Sequence, residues 1–210
     1  DSGSIVFSAN RLEDWERDPI ESDLYEVSVA SGAITRLTER DGPDQSPAVS
    51  PDGSRIAYTG FTDRRRGYQV TELYVLDRSS GTTRSISGGL DRTVSSPVWS
   101  EDGRAVYAMY SDHGDTKVAR FGLDGSRTVL AEGVGGSTLG RPYGAGSFDT
   151  RGGTTAAVFT TPTRPADVGV ITRDGVRMLT ALNEDVLGHR GVVDAEAFTV
   201  ESSADGRDVQ

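Results

Sequence analysis

The sequence predicts an all-β fold: a β-propeller fragment of about four four-stranded blades from a larger ring. Three observations carry this. Ser46-Pro47-Ala48-Val49-Ser50-Pro51-Asp52-Gly53 returns as Ser96-Pro97-Val98-Trp99-Ser100-Glu101-Asp102-Gly103, an offset of 50 residues. A fixed period of that size marks stacked supersecondary units. A short apolar strand follows each copy, Arg55-Ile56-Ala57-Tyr58 and then Arg104-Ala105-Val106-Tyr107. The composition agrees: 35% hydrophobic residues and 26 glycines in 210 suit short strands and many turns better than a helical bundle.

Residues 1–40 read as an incomplete blade. Ser4-Ile5-Val6-Phe7-Ser8 matches the second strand of the following unit, residues 23–29 the third and residues 33–37 the fourth. The innermost strand is absent, which would leave an unpaired sheet edge, so the expectation is a fragment of a longer protein. Residues 41–90 form the template blade. Its strands lie around Ala48-Val49, at 55–59, at Glu72-Leu73-Tyr74-Val75-Leu76 and at 83–86. β-branched and aromatic residues bounded by Gly, Asp and Ser are its strand signals.

Residues 91–135 repeat the plan, with strands near Val98-Trp99, 104–110, 117–123 and 127–131. Residues 136–188 repeat it more loosely: the stretch 147–153 replaces the Asp-Gly turn, and 156–160, 167–172 and 176–180 supply strands. Val49, Trp99 and Phe148 hold one equivalent place, and their side chains are expected to pack between blades. Residues 189–210 are expected to be a linker and the first strand of a following domain. Two other readings of this tail stay open: a further blade, or a strand at residues 197–200 that closes a four-bladed ring.

The net charge of −10 and pI of about 4.7 oppose binding to a phosphate backbone, so no nucleic-acid partner is expected. No stretch approaches 18 uninterrupted apolar residues, so no membrane-spanning helix is expected. With no cysteine there is no disulfide and no thiolate chemistry, which fits a reducing cytoplasm. No cofactor or metal site is expected. His113 with Asp112 and Asp115 offers too few ligands, and the D-x-D-x-D-G calcium spacing is absent.

The order of features resembles the propeller of the prolyl oligopeptidase (S9) family of serine peptidases, most closely its acylaminoacyl-peptidase and dipeptidyl-aminopeptidase branch. The resemblance rests on Ser8-Ala9-Asn10-Arg11 before an acidic loop, Asp23-Leu24-Tyr25-Glu26-Val27, and Ser31-Gly32-Ala33-Ile34-Thr35-Arg36-Leu37-Thr38. It rests also on the two Ser-Pro-x-x-Ser-x-Asp-Gly turns, and on Leu179-Thr180-Ala181-Leu182-Asn183 before Glu196-Ala197-Phe198 and Asp205-Gly206. It implies a parent ring of seven blades, an α/β-hydrolase domain of the same parent chain as partner, and oligopeptide substrates. The propeller would then gate a peptidase that removes acylated residues or dipeptides from short peptides. The Ser-Pro-Asp-Gly turn alone is shared with TolB-like propellers, so the alternative is a protein-binding module without enzyme activity.

No catalytic residue is assigned. A nucleophile elbow needs G-x-S-x-G, and Gly135-Gly136-Ser137-Thr138-Leu139 fails at its last position. Only His113 and His189 are available as bases, the first in a polar turn and the second in a linker. Candidate substrate-binding or domain-docking residues are Trp15 and Glu16, with Glu13 beside them, and Arg64, Arg65 and Arg66. Both groups lie on connections between second and third strands, on the rim where the chain leaves its last blade. Arginine suits a peptide carboxylate, Trp15 an apolar side chain and an acidic residue an amine; the plainer reading is two solvated loops. Asp52, Gly53, Asp102 and Gly103 read as turn residues, the aspartates binding backbone amides of their own turns. A broken ring would also self-associate through exposed strand edges, so a homo-oligomer is an expectation.

Overall fold

The computed structural model describes residues 3–136, 146–193 and 196–209. Four antiparallel sheets follow one another along the chain, each with its strands in sequence order. The first holds β1 (Ser4–Ala9), β2 (Asp23–Ser28) and β3 (Ile34–Arg36). The second holds β4 (Asp44–Val49), β5 (Arg55–Gly60), β6 (Glu72–Asp77) and β7 (Thr83–Ser85). The third holds β8 (Val94–Trp99), β9 (Ala105–Asp112), β10 (Asp115–Gly122) and β11 (Arg127–Ala131). The fourth holds β12 (Phe148–Arg151), β13 (Thr154–Thr161), β14 (Arg164–Thr172) and β15 (Gly175–Met178). This is the all-β, four-sheet propeller architecture that the repeat predicts.

The core lies in the seams between sheets. Leu24 and Val6 of the first sheet meet Ile56, Tyr58 and Leu76 of the second. Ala57, Leu73 and Val75 of the second meet Trp99, Val106 and Phe121 of the third. Met109 and Val118 of the third meet Ala157 and Phe159 of the fourth. A central strand such as β5 is therefore covered on both faces. Its Ile56, Ala57, Tyr58 and Thr59 are all buried, so it reads as an apolar run without strict alternation.

Each copy of the repeated turn is held by its own aspartate. Asp52 accepts from the Ser50 hydroxyl at 2.6 Å and the Ser54 N–H at 3.0 Å, while Gly53 takes φ +71°. Asp102 accepts from the Ser100 hydroxyl at 2.7 Å and the Arg104 N–H at 3.0 Å, with Gly103 at φ +64°. Upstream, Ser46 and Ser96 sit in the left-handed region at φ +52° and +55°, where the ladders of β4 and β8 slip register. These are β-bulges, and each is followed by a proline that cannot donate to the ladder.

Four details refine or correct the sequence reading. The ladder keeps the 50-residue offset throughout, so Val106 and not Ala105 is the counterpart of Ile56: Val49 pairs with Ile56 and Trp99 with Val106. Trp99 is buried and Phe148 half-buried, but Val49 is 43% exposed and does not pack between sheets. Of the alternatives left open for the tail, ring closure by residues 197–200 is not seen among the described residues. Val200 pairs with Val209 and Glu201 with Asp208, so β16 (Val200–Glu201) and β17 (Asp208–Val209) form a separate hairpin. A short helix, α1 (Glu184–Leu187), which the pattern did not announce, precedes it.

Connections between second and third strands share one rim with the exit from the fourth sheet. Leu187 and Val192 of the exit segment line a groove of about 510 Å³ with Asp115 of the third sheet and Pro162 and Pro165 of the fourth. An Arg164–Glu184 ion pair ties α1 to the same hairpin.

Candidate functional site

The connection from β5 to β6 is stiffened by its own side chains. Asp63 accepts from the Arg65 N–H and from the Gln69 side-chain amide, both at 2.7 Å. The Arg64 N–H donates to the Gln69 side-chain oxygen at 2.6 Å. Arg65 holds φ +53°, a left-handed position that the Asx-type turn of Asp63 supports. The hydrogen bonds from Gln69 and from the Arg65 N–H hold the Asp63 carboxyl below its ordinary value.

The three arginines divide. Arg65 turns back, with its guanidinium 3.3 Å from Asp63 and 3.3 Å from Asp18 on the β1–β2 connection. It braces one loop against the other. Arg64 and Arg66 instead line a groove of about 380 Å³ with Tyr68 and Gln69, facing Glu72 and Asp91. This groove can take a group carrying a carboxylate on one side and main-chain N–H groups on the other.

On the neighbouring loop, the Asn10 side chain donates to the Asp18 carbonyl at 2.8 Å and accepts from the Leu12 N–H at 3.2 Å. Trp15 is 55% exposed and Glu13 and Glu16 are exposed; none of them lines the arginine groove. The structure thus joins the two loops through Arg65 and Asp18, not through Trp15 or Glu16.

Behind the groove lies a cluster that the sequence reading missed. Asp44 is fully buried and paired with Arg40, whose guanidinium stacks 4.1 Å from the Tyr74 ring centre. Burial keeps the Asp44 carboxyl above its ordinary value even beside Arg40. Tyr74 stacks on Tyr58 at 5.4 Å, and burial raises the Tyr58 hydroxyl strongly. The first sheet has the same arrangement: Phe7 stacks on Tyr25 at 5.7 Å, with Arg11 over Tyr25 at 5.4 Å. A signal did exist, because Asp44 stands where the next repeat has Val94, a charge in a core slot.

His113 and Gly114 form the tip of the β9–β10 hairpin, at φ +52° and +80°. Asp112 collects Arg92 and His113, each at 2.9 Å, and Lys117 at 3.4 Å. Burial would raise the Asp112 carboxyl, but the hydrogen bonds from His113 and Arg92 outweigh it. Among the described residues no group of three His, Asp or Glu is placed to hold a metal ion. His189 is exposed beyond α1, and Ser137, Thr138 and Leu139 lie outside the described residues.

No family model matches the chain. The TolB homolog of Chlorobium luteolum is 28% identical over 123 residues, covering 59% of this chain and 25% of that protein. A probable dipeptidyl-peptidase 5 of Arthroderma benhamiae is 32% identical over 89 residues, covering 40% of this chain and 12% of that protein. Among solved structures, the acylaminoacyl peptidase of Pyrococcus horikoshii superposes with a TM-score of 0.74 at 21% identity. It covers 97% of this chain and 30% of the peptidase. The β-propeller domain of the Trilobed protease from Pyrococcus furiosus gives 0.57 at 14% identity, covering 86% of this chain and 55% of that one.

The fold is that of a β-propeller, similar to the propellers of peptidases and of TolB. The resemblance read from the sequence is thus met both in curated peptidases and in solved propellers. The propeller spans a quarter of the matched TolB homolog and about an eighth of the matched dipeptidyl-peptidase.

Proposed function

We propose that this propeller is the non-catalytic, substrate-gating part of a serine peptidase that removes acylated residues or dipeptides from short peptides. The observation that carries the reading is the shared rim. The Arg65–Asp18 contact joins the β1–β2 and β5–β6 loops, Asp91 lines the arginine groove, its neighbour Arg92 pairs with Asp112 at the β9–β10 hairpin, and that hairpin lines the second groove with the exit from the fourth sheet. An α/β-hydrolase domain of the same parent chain, following the exit, would meet that side. The likeness to propellers of multidomain peptidases supports this reading.

In this arrangement Arg64 and Arg66 receive a peptide carboxylate by charge-assisted hydrogen bonds. Arg65 holds their loop, and Trp15 and Glu16 meet the approaching peptide or the hydrolase surface. The blades exclude folded proteins and admit oligopeptides. Catalysis belongs to the partner domain.

A fluorophosphonate probe tests this. The 210-residue chain should take no label, and the parent protein should be labelled at a serine beyond Gln210. In the parent, Arg64→Ala with Arg66→Ala should raise KM for peptides with a free carboxylate and leave kcat near the unaltered value. A parent that lacks a G-x-S-x-G elbow and takes no label overturns the peptidase and leaves the TolB-like binding module.

A further inference from the structure

We infer that the groove of Arg64 and Arg66 is a binding site for a free dipeptide, a short zwitterion whose ammonium group is received by Glu72. The inference deepens the gating reading and rests on it for the source of such peptides; the binding itself needs no catalysis.

Three sheets place a charge in one slot. Phe7 pairs with Tyr25 as Tyr58 pairs with Tyr74, and Val106 is the counterpart of Ile56, so Ala9, Gly60 and Tyr110 are equivalent. Their partners across the ladder are Asp23, Glu72 and Lys117. Asp23 is neutralised inside its own sheet by Arg36 of β3, at 2.6 Å. Lys117 is neutralised by Glu132, just past β11, at 3.0 Å and by Asp112 at 3.4 Å. Among the described residues Glu72 has no ion-pair partner. Tyr25 pairs with Arg36 and Tyr74 with Ser85, so in the second sheet a serine holds the slot of Arg36. The Ser85 hydroxyl is itself buried without a hydrogen-bond partner.

Glu72 lines the groove instead. The groove measures about 380 Å³, at the small end of ligand pockets. Arg64 and Arg66 line it from the loop, Glu72 from the start of β6 and Asp91 from the link to the third sheet. Among the described residues Arg64 and Arg66 also enter no ion pair. The cation beside Asp91 is Arg92, at 4.0 Å, and Arg92 is committed to Asp112 at 2.9 Å. Two cations and two anions thus share one groove without neutralising each other. An exposed charge needs no partner, but Glu72 is half-buried in a slot whose two counterparts are both paired.

The lining sets the ligand. A peptide with a blocked amine satisfies the arginines and leaves Glu72 and Asp91 unmatched. One with a blocked carboxylate leaves the arginines unmatched. A zwitterion meets both walls by charge-assisted hydrogen bonds, one end on each. Tyr68, 74% exposed on the same loop, offers a ring face to the ammonium group. An acylated residue carries no ammonium group, so of the two products that the gating reading allows, the groove selects the dipeptide.

The test uses the 210-residue chain and three probes: Ala-Leu, its N-acetyl form and its C-terminal amide. Calorimetry should show saturable binding of Ala-Leu and about tenfold weaker binding of each blocked form. Glu72→Gln should weaken Ala-Leu about tenfold and leave the N-acetyl form unchanged. Arg64→Ala with Arg66→Ala should weaken Ala-Leu and leave the amide unchanged. Ser85→Arg supplies the partner that the first sheet has; it should occupy Glu72 and remove the preference for a free amine. If that variant does not fold, Glu72→Gln carries the test. An N-acetyl form bound as tightly as Ala-Leu, an Ala-Leu affinity unmoved by Glu72→Gln, or no saturable binding below about 10 mM would each overturn the inference. Fluorophosphonate labelling of the parent reads the peptidase separately. A labelled parent whose propeller ignores Ala-Leu loses this inference alone, and an unlabelled parent whose propeller binds it loses the peptidase alone.

Discussion

The indole N–H of Trp99 donates to the carbonyl of Ala48 at 2.8 Å, crossing the seam between the second and third sheets. One residue of the repeat thus clasps the preceding copy. Trp99→Phe keeps most of the apolar area but loses the hydrogen bond, at an expected cost of about 1 kcal/mol. Trp99→Ala should cost about 3–5 kcal/mol. Val49→Ala, at the equivalent but exposed place, should cost far less. Urea melts of the three variants check the order.

The Arg40–Asp44 pair is buried, and Asp44 keeps one carboxylate oxygen without a protein partner. Removing Arg40 alone leaves an uncompensated acid in the core, and Arg40→Ala should cost about 3–5 kcal/mol at neutral pH. The Asp44 carboxyl is already raised by burial and would rise further. A raised carboxyl contributes stability below the unfolded value near 3.8 and loses it as pH rises through the folded value. The variant should therefore be hurt more at pH 8 than at pH 4. The double change Arg40→Met with Asp44→Leu should recover most of the loss, which a double-mutant cycle in urea would read.

Asp52 shows the opposite sign. Hydrogen bonds from Ser50 and Ser54 lower its carboxyl from 3.8 to about 2. A lowered carboxyl stabilises the fold above the unfolded value and loses that contribution as pH falls through the folded one. Melting temperatures of the parent chain and of Asp52→Asn should differ at pH 6 and converge between pH 4 and pH 2. Asp77, also held at about 2 by Ser79 and Ser80, should behave alike.

The arginines of the β5–β6 loop should separate by experiment. Arg65→Ala removes the contacts to Asp63 and Asp18 and should speed limited proteolysis of both loops with little change in melting temperature. Arg64→Ala and Arg66→Ala should leave the cleavage rate unchanged, because neither side chain ties the loops together.

Most of the fold was legible because the repeat declares itself locally. Asp52 with Gly53, and Asp102 with Gly103, set their turns within four residues, and the strands after them are short and apolar. What escaped depends on contacts across seams. Val49 and Trp99 look equivalent in sequence, yet among the described residues only Trp99 has the first strand of a preceding sheet to pack on. The division of labour among Arg64, Arg65 and Arg66 depends on Asp18, 47 residues from Arg65, which no local pattern reveals. The Arg40–Asp44 pair was hidden in plain view, since Asp44 in a Val94 slot was a discrepancy between copies.

The seams are unequal, and that has a mechanical consequence. Among the described residues, eleven buried side chains fill the junction of the second and third sheets, against six and four at the junctions on either side. Each sheet leans only on its neighbours, so load passes along the chain from one junction to the next. Pulled from its two ends, the molecule would peel from the outside inward. The first and fourth sheets would yield at low force, and the central pair would rupture last as one unit.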